Sequence, residues 1–161
     1  DGKVIGQAPR SVCHDGTKLL HPVIHLHIFN SKGELFLQKR SETKDIQPGK
    51  WDSSVGGHID LGESPEQAAL REAREELGIE VSGIHYVTKH IIETDVEQAL
   101  TYCFYTVYDG DFKIDEKEVV EGRFWTIEEI QAQLGKGIFT PNFELDFNLF
   151  LTNGLKRLSV A

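Results

Sequence analysis

Three glutamates at helical spacing, Glu72, Glu75 and Glu76, are the residues of this chain best placed to do chemistry. At i, i+3 and i+4 their carboxylates converge on one helix face. Three like charges there repel one another unless a cation neutralises them, and an all-oxygen set suits Mg²⁺ or Mn²⁺ rather than Zn²⁺. Such a cation bridges phosphate oxygens, offsets their charge and lowers the pKa of a bound water to make a nucleophile. A carboxylate at the metal edge then takes the water's proton. The plain alternative is a solvated acidic face on which Arg71 is a simple i,i+4 partner of Glu75.

The elements that must position these groups are legible around them. Ser64 is an N-cap, Pro65 sits at the first helical position and Gln67 completes a capping box, while Gly78 stops the helix. Ala69, Ala73 and Leu77, with Leu70, make its narrow apolar stripe. Upstream, Val23 to Phe29 alternates Ile24, Leu26 and Ile28 against Val23, His25, His27 and Phe29, which predicts a strand. Asn30 to Gly33 supplies a turn, Glu34 to Lys39 returns as the hairpin partner, Ser41 to Lys50 reads as a loop, and Trp51 to His58 as a short strand ending in Gly56-Gly57. Downstream the pattern predicts strands at Glu80–Val81, Tyr86 to Ile92, Leu100 to Tyr108 and Arg123 to Trp125. A helix capped by Thr126, with Glu129 at N3, follows, and Pro141 introduces a last helix from about Phe143 to Leu155. Mixed strands with helices on separate sides give an α/β class, a mixed β-sheet sandwiched between helices. With no repeat, low-complexity tract or linker, residues 1–161 are expected to form one domain.

A net charge of −9 argues against nucleic-acid or anionic-membrane partners, which need a basic surface. Acidic residues crowd between Asp60 and Glu80 and again between Asp109 and Glu129. The first cluster points to held cations, and the second reads more simply as a solvated face. Cys13 and Cys103 lie far apart outside any CxxC pattern, so a reducing, cytoplasmic setting is the expectation and a cysteine-based zinc site is not. No apolar run approaches the roughly 20 residues of a membrane span. The chain opens on Asp1 rather than methionine, which leaves room for a short preceding segment.

Residues 57–79 read GHIDLGESPEQAALREAREELGI, and Gly57, Glu63, Arg71, Glu72, Glu75, Glu76, Gly78 and Ile79 fall at the spacing of the Nudix box. Ala73 stands where a larger aliphatic is usual. A chance match to so many fixed positions is on the order of one in a million, so the chain resembles the Nudix superfamily, and the Nudix fold is implied. The stretch LHPVIHLHIFNSKGELFLQKRSETKDIQPGKWDSSVGGHIDLGES extends the resemblance to type I isopentenyl-diphosphate isomerases and their hydrolase-like relatives, from about Gly6 through Pro141. In those isomerases three histidines equivalent to His14, His21 and His58 help hold a metal, which makes these candidate ligands by resemblance. Imidazole sets also suit Mn²⁺, Zn²⁺ or Fe²⁺. Arg40 and Lys44 occupy positions that bind diphosphate in that branch, and a guanidinium fork fits phosphate oxygens.

The departures favour hydrolysis over isomerisation. Gly56 stands where the isomerases carry a catalytic cysteine, so the double-bond shift loses half its acid–base machinery. An ungapped reading puts Glu97 at a later metal position and Ala99 at the second catalytic one, although a shifted register would pair Asp95 with Glu97. The box, degraded in the isomerases, is complete here. The reading is therefore a metal-dependent hydrolase of a small organic diphosphate. Glu72 or Glu76 serves as base or ligand, Glu75 and the Gly57 carbonyl as ligands, Arg71 as the group that orients the glutamates, and Glu63 as support for loop or metal. A second carboxylate outside the box comes from Glu97, Glu118 or Glu121. The competing readings are a diphosphate isomerase that has recruited another acid, and a binding domain that no longer turns over. Phe124, Trp125, Phe143 and Phe147 are core residues or, less simply, a platform for a base or prenyl chain. A strand-rich fold with open edges is compatible with a homodimer.

Overall fold

Ten alternating residues, buried on both faces over most of their length, make Leu20–Phe29 the central strand, β1. The computed structural model describes Lys3, Gly6 and residues 19–42, 48–95, 97–115, 117 and 119–153. The chain continues through β2 (Leu35–Lys39), β3 (Trp51–Asp52), β4 (Val55–His58), α1 (Pro65–Leu77), β5 (His85–Glu93), β6 (Gln98–Val107), β7 (Glu121–Trp125), α2 (Ile127–Gln133) and α3 (Pro141–Asn153). The strands form one mixed sheet in the order β3-β2-β1-β6-β5, with β4 also paired to β1 and β7 to β2. Along one edge β1 runs parallel to β6 from Leu20↔Gln98 to Phe29↔Val107. Its other edge is shared: Val23–Leu26 pair antiparallel with β4, and Ile28–Phe29 with β2.

That fork corrects the expected single strand from Trp51 to His58. The segment breaks at Ser53-Ser54, sending Trp51–Asp52 to β2 and Val55–His58 to β1. The Ser54 hydroxyl fills the gap, accepting from the Ile28 amide at 2.9 Å and donating to the Phe36 carbonyl. The expected strand at Glu80–Val81 is also absent. After Gly78, which caps α1 in the left-handed conformation (φ 64°), Ile79 tucks into the core and the chain runs on irregularly to β5. The last carbonyls of α1 are taken by a passing strand-like segment: Lys113 N–H bonds Leu77 O at 2.8 Å, and Asp115 N–H bonds Glu76 O at 3.0 Å.

The sheet carries a core on each face, as an α/β/α sandwich requires. On one face Ile24, Leu26, Ile28, Phe36 and Val55 pack against Ala68, Ala69, Ala73 and Leu77 of α1. Ala68 joins the expected stripe, and Leu70 is only half-buried. On the other face Phe29, Leu35, Leu37 and Tyr105 meet Ile130 of α2 and Phe143, Phe147 and Phe150 of α3. Trp125, Phe143 and Phe147 are thus core, and Phe124 packs against Phe36 and Phe112. Among the described residues no helix is long and apolar enough to cross a membrane.

Candidate active site

Helix α1 is fixed at both ends before it presents any chemistry. The Ser64 hydroxyl accepts from Gln67 N–H, and the Gln67 side chain accepts from Ser64 N–H, so the capping box is closed. Just ahead of it, Glu63 grips Arg71 with two bonds of 2.8 and 2.9 Å, and its other contact is the Asp60 amide at 3.0 Å. The fork geometry leaves Arg71 free to donate onward to Glu72 at 2.8 Å, to Glu75 at 3.3 Å and to the His58 carbonyl at 3.0 Å. Arg71 holds the Glu63 carboxyl below the usual glutamate range, and the same bonds raise the guanidinium further. Arg71 is therefore the clasp between the loop, strand β4 and the glutamate face.

Above that clasp opens a cleft of about 630 Å³. Its walls include Glu72, Glu75 and Glu76 from α1, Gly56, Gly57 and His58 from β4, His25 from β1, Ala99 from β6, and Arg40 and Glu97 just beyond the ends of β2 and β6. A Cβ at Gly57 would sit 2.4 Å from the Glu72 carboxyl carbon, so a larger residue would push that flexible side chain away from the β4 backbone. At Gly56 the nearest atom to an added Cβ is 3.4 Å away, on the His25 ring, an ordinary contact. Glu76 accepts a 2.8 Å bond from the Gln38 amide and neighbours Glu72 one turn away on the same helix. Burial and then that neighbouring carboxylate push the Glu76 carboxyl well above the usual range. Gln38 also donates to Ser54 O at 3.0 Å, tying the glutamate pair to the fork in the sheet. Glu72 and Glu76, with Glu75 at the more exposed rim, give this wall of the cleft hard oxygen donors, the kind that would suit a divalent cation.

The resemblance-derived residues divide. His21 and Glu97 meet at 3.2 Å, and the His21 and His58 rings stack at 5.0 Å, which brings three of the expected ligands together at the cleft's end. Glu97 and Ala99 line the cleft, and Asp95 is exposed and does not line it. Arg40 lines the cleft, 3.4 Å from Asp52. Glu121 does not line it: it pairs opposite Lys39 on β7 and points to solvent. His14, Lys44 and Glu118 lie outside the described residues.

Several lining groups carried no sequence signal. Asp52, oriented by the Thr140 hydroxyl at 3.0 Å, and Asp115, bonded through its amide to the Glu76 carbonyl, add carboxylates from outside the box. Gln38 looks like any polar residue on a hairpin strand until β2 is seen to run beside α1. The one available cue for Asp115 was its acidic cluster, read as a solvated face.

A sheet between helices, with a glutamate-bearing helix held by an arginine clasp against a glycine strand, defines a Nudix-type fold. The NUDIX domain model matches residues 19–143. The chain is 41% identical over 136 residues to an uncharacterized Nudix hydrolase of Listeria monocytogenes, covering 81% of this chain and 79% of that protein. It is 31% identical over 149 residues to an isopentenyl-diphosphate Delta-isomerase of Streptomyces griseus, covering 89% and 76%. The crystal structure of a MutT protein from Methanosarcina mazei superposes with a TM-score of 0.73 at 26% identity, over 83% of this chain and 94% of that one. The chain belongs to the Nudix family, among its hydrolase enzymes and near its isopentenyl-diphosphate-isomerase-like branch.

Proposed function

We propose that this protein hydrolyses the diphosphate linkage of a small nucleoside-diphosphate-like or other organic substrate, with a water nucleophile that depends on a divalent cation. The observation that carries this reading is the Glu72–Glu76 pair, two carboxylates one helical turn apart on the wall of the cleft, with the Glu76 carboxyl pushed well above its ordinary range by burial and by Glu72. Arg71 offsets Glu72 from one side, and a shared proton or a bound cation would relieve the repulsion that remains between the two carboxylates. Mg²⁺ or Mn²⁺ bound there would offset phosphate charge and acidify a water. The chain's own groups do the rest. Arg71 fixes the Glu72 rotamer, Gln38 fixes Glu76, and the pair supplies the acceptor for the water's proton. Arg40 offers a guanidinium to the phosphates, with Asp52 beside it to hold its orientation. Gly56 and Ala99 leave the cleft without the acid–base pair that an isomerase of this branch would need.

The test is phosphate or diphosphate release from nucleoside diphosphate derivatives, dinucleoside polyphosphates, CoA and isopentenyl diphosphate, with Mg²⁺ and with Mn²⁺, beside Glu72→Gln. Metal-dependent release that disappears in the variant, with substrate binding retained, is the expected result. Isomerisation of isopentenyl diphosphate without cleavage of any diphosphate would overturn it.

A further inference from the structure

Below the cleft, on the side of the sheet away from α1, a second group of metal-type donors is gathered from three distant parts of the chain. His25 comes from β1, Cys103 from β6 and Asp146 from α3, and one donor atom from each lies within 4.8 Å of the others. The His25 Nδ1 contacts Asp146 Oδ2 directly. Two further imidazoles turn onto the same carboxylate: His90 Nε2 lies 3.0 Å from Oδ1 and His27 Nε2 lies 3.7 Å from Oδ2. His90 offers its other nitrogen to the Cys103 sulfur at 3.9 Å. The Asp146 side chain has no solvent exposure and that of His27 2%.

A hydrogen-bonded ion pair accounts for only part of this arrangement. Asp146 Oδ1, His90 Nε2 and His27 Nε2 are all buried, and the contacts of the two imidazoles with the carboxylate, 3.0 and 3.7 Å, fall short of good hydrogen-bond geometry. Imidazole, thiol and carboxylate donor atoms gathered within 4.8 Å of one another, with further imidazoles facing the same carboxylate, form the pattern of a coordination sphere. We propose that His25, Cys103 and Asp146 form a buried binding site for a zinc-class divalent ion, with His90 and His27 as supporting or additional donors.

Imidazole, sulfur and a single carboxylate select Zn²⁺, Co²⁺ or Fe²⁺, not the Mg²⁺ or Mn²⁺ suited to the glutamate face of α1. The two sites therefore differ in donor chemistry as well as position. His25 also lines the cleft, which gives the ion a route in. Burial, then the Asp146 charge, pushes the Cys103 thiol up, so the sulfur keeps its proton until an ion displaces it. Burial works against the Asp146 charge, yet the imidazoles, His25 foremost, hold its carboxyl well below the usual range, ready to ligate. Bound there, an ion would fasten α3 to the centre of the sheet.

The experiment is titration of the chelator-treated protein with Co²⁺ alone, read by absorbance. Wild type is expected to develop a near-ultraviolet thiolate-to-cobalt band with visible ligand-field bands, saturating at one equivalent and displaced by Zn²⁺. Glu72→Gln and Cys13→Ser should keep the band. Cys103→Ser, nearly isosteric and checked for fold by circular dichroism, should lose it and weaken binding there about 100-fold or more. Asp146→Asn should weaken binding similarly, and Zn²⁺ should raise the melting temperature of wild type but not of Cys103→Ser. Wild type without a thiolate band, or a band that survives in Cys103→Ser, overturns the site and leaves a metal-free ion pair. Diphosphate hydrolysis measured in parallel fails or persists independently of these spectra.

Discussion

The two faces of the sheet solve opposite problems with opposite residues. Facing α1 the contact is made by Ala68, Ala69 and Ala73, whose side chains are short enough to bring the helix close to β4 and β1. Facing α2 and α3 it is made by large rings: Trp125 on Phe139 at 5.3 Å, Phe139 on Phe143 at 5.2 Å, and Phe143 on Phe147 at 5.6 Å. Burial of aromatic area supplies most of the stabilisation on that side. The alanine contact gains reach, because a closely seated helix puts Glu72 against Gly57 and Glu76 against Gln38. Ala73, a departure from the usual larger aliphatic of the box, belongs to that economy of size. The difference teaches that one face is shaped for positioning and the other for cohesion.

Substitutions can break this division or sharpen it. The largest effect is expected at Glu76→Gln. Steady-state kinetics should show turnover reduced on the order of 10²–10⁴-fold, while the melting temperature stays level or rises because a buried carboxyl has been made neutral. Phe143→Ala should do the reverse. Chemical denaturation should show a loss of about 3–5 kcal/mol, with kcat of the folded fraction within a few-fold of wild type. Equal damage from both to both readouts would erase the distinction between the faces. Ala69→Leu overpacks the α1 contact and should cost about 1–3 kcal/mol; if the seating of the helix sets the reach of its glutamates, turnover falls by more than the stability loss explains.

The smallest effect is expected at Glu63→Gln, which weakens the arginine clasp by about 1 kcal/mol at neutral pH. Arg71 holds the folded carboxyl below its ordinary value of 4.5. The wild-type advantage should therefore be complete above that value and vanish as pH falls through the lower folded value. Thermal melts of both proteins across that acid range check the sign, and an advantage that grows on acidification would contradict it.

Local signals made half of this structure readable in advance. The capping boxes at Ser64 and Thr126, the left-handed stop at Gly78 and the alternation of β1 depend on neighbours within a few residues, and they stand as expected. The Glu72, Glu75 and Glu76 face follows from helical periodicity alone. The break at Ser53-Ser54 was not readable, because Trp51 to His58 alternates acceptably as one strand and only the competition of β2 and β4 for the same edge of β1 divides it. Asp52, Asp115 and the contact between His25 and Asp146, 121 residues apart, likewise depend on topology. No periodicity reports a partner at that distance.

The parallel ladder between β1 and β6 carries a kinetic consequence. It joins Leu20 to Gln98 and Phe29 to Val107 with the whole of α1 lying between the two strands in the chain. Pairings so remote along the sequence close slowly, because the intervening loop must be ordered before any contact repays it. The glutamate helix, with its caps and clasp within residues 58–78, can form early from local contacts. The meeting of His21 with Glu97 falls at the opening rungs of the late ladder. During refolding the acidic face should therefore precede the histidine end of the cleft, and the two halves of the site should mature on separate clocks.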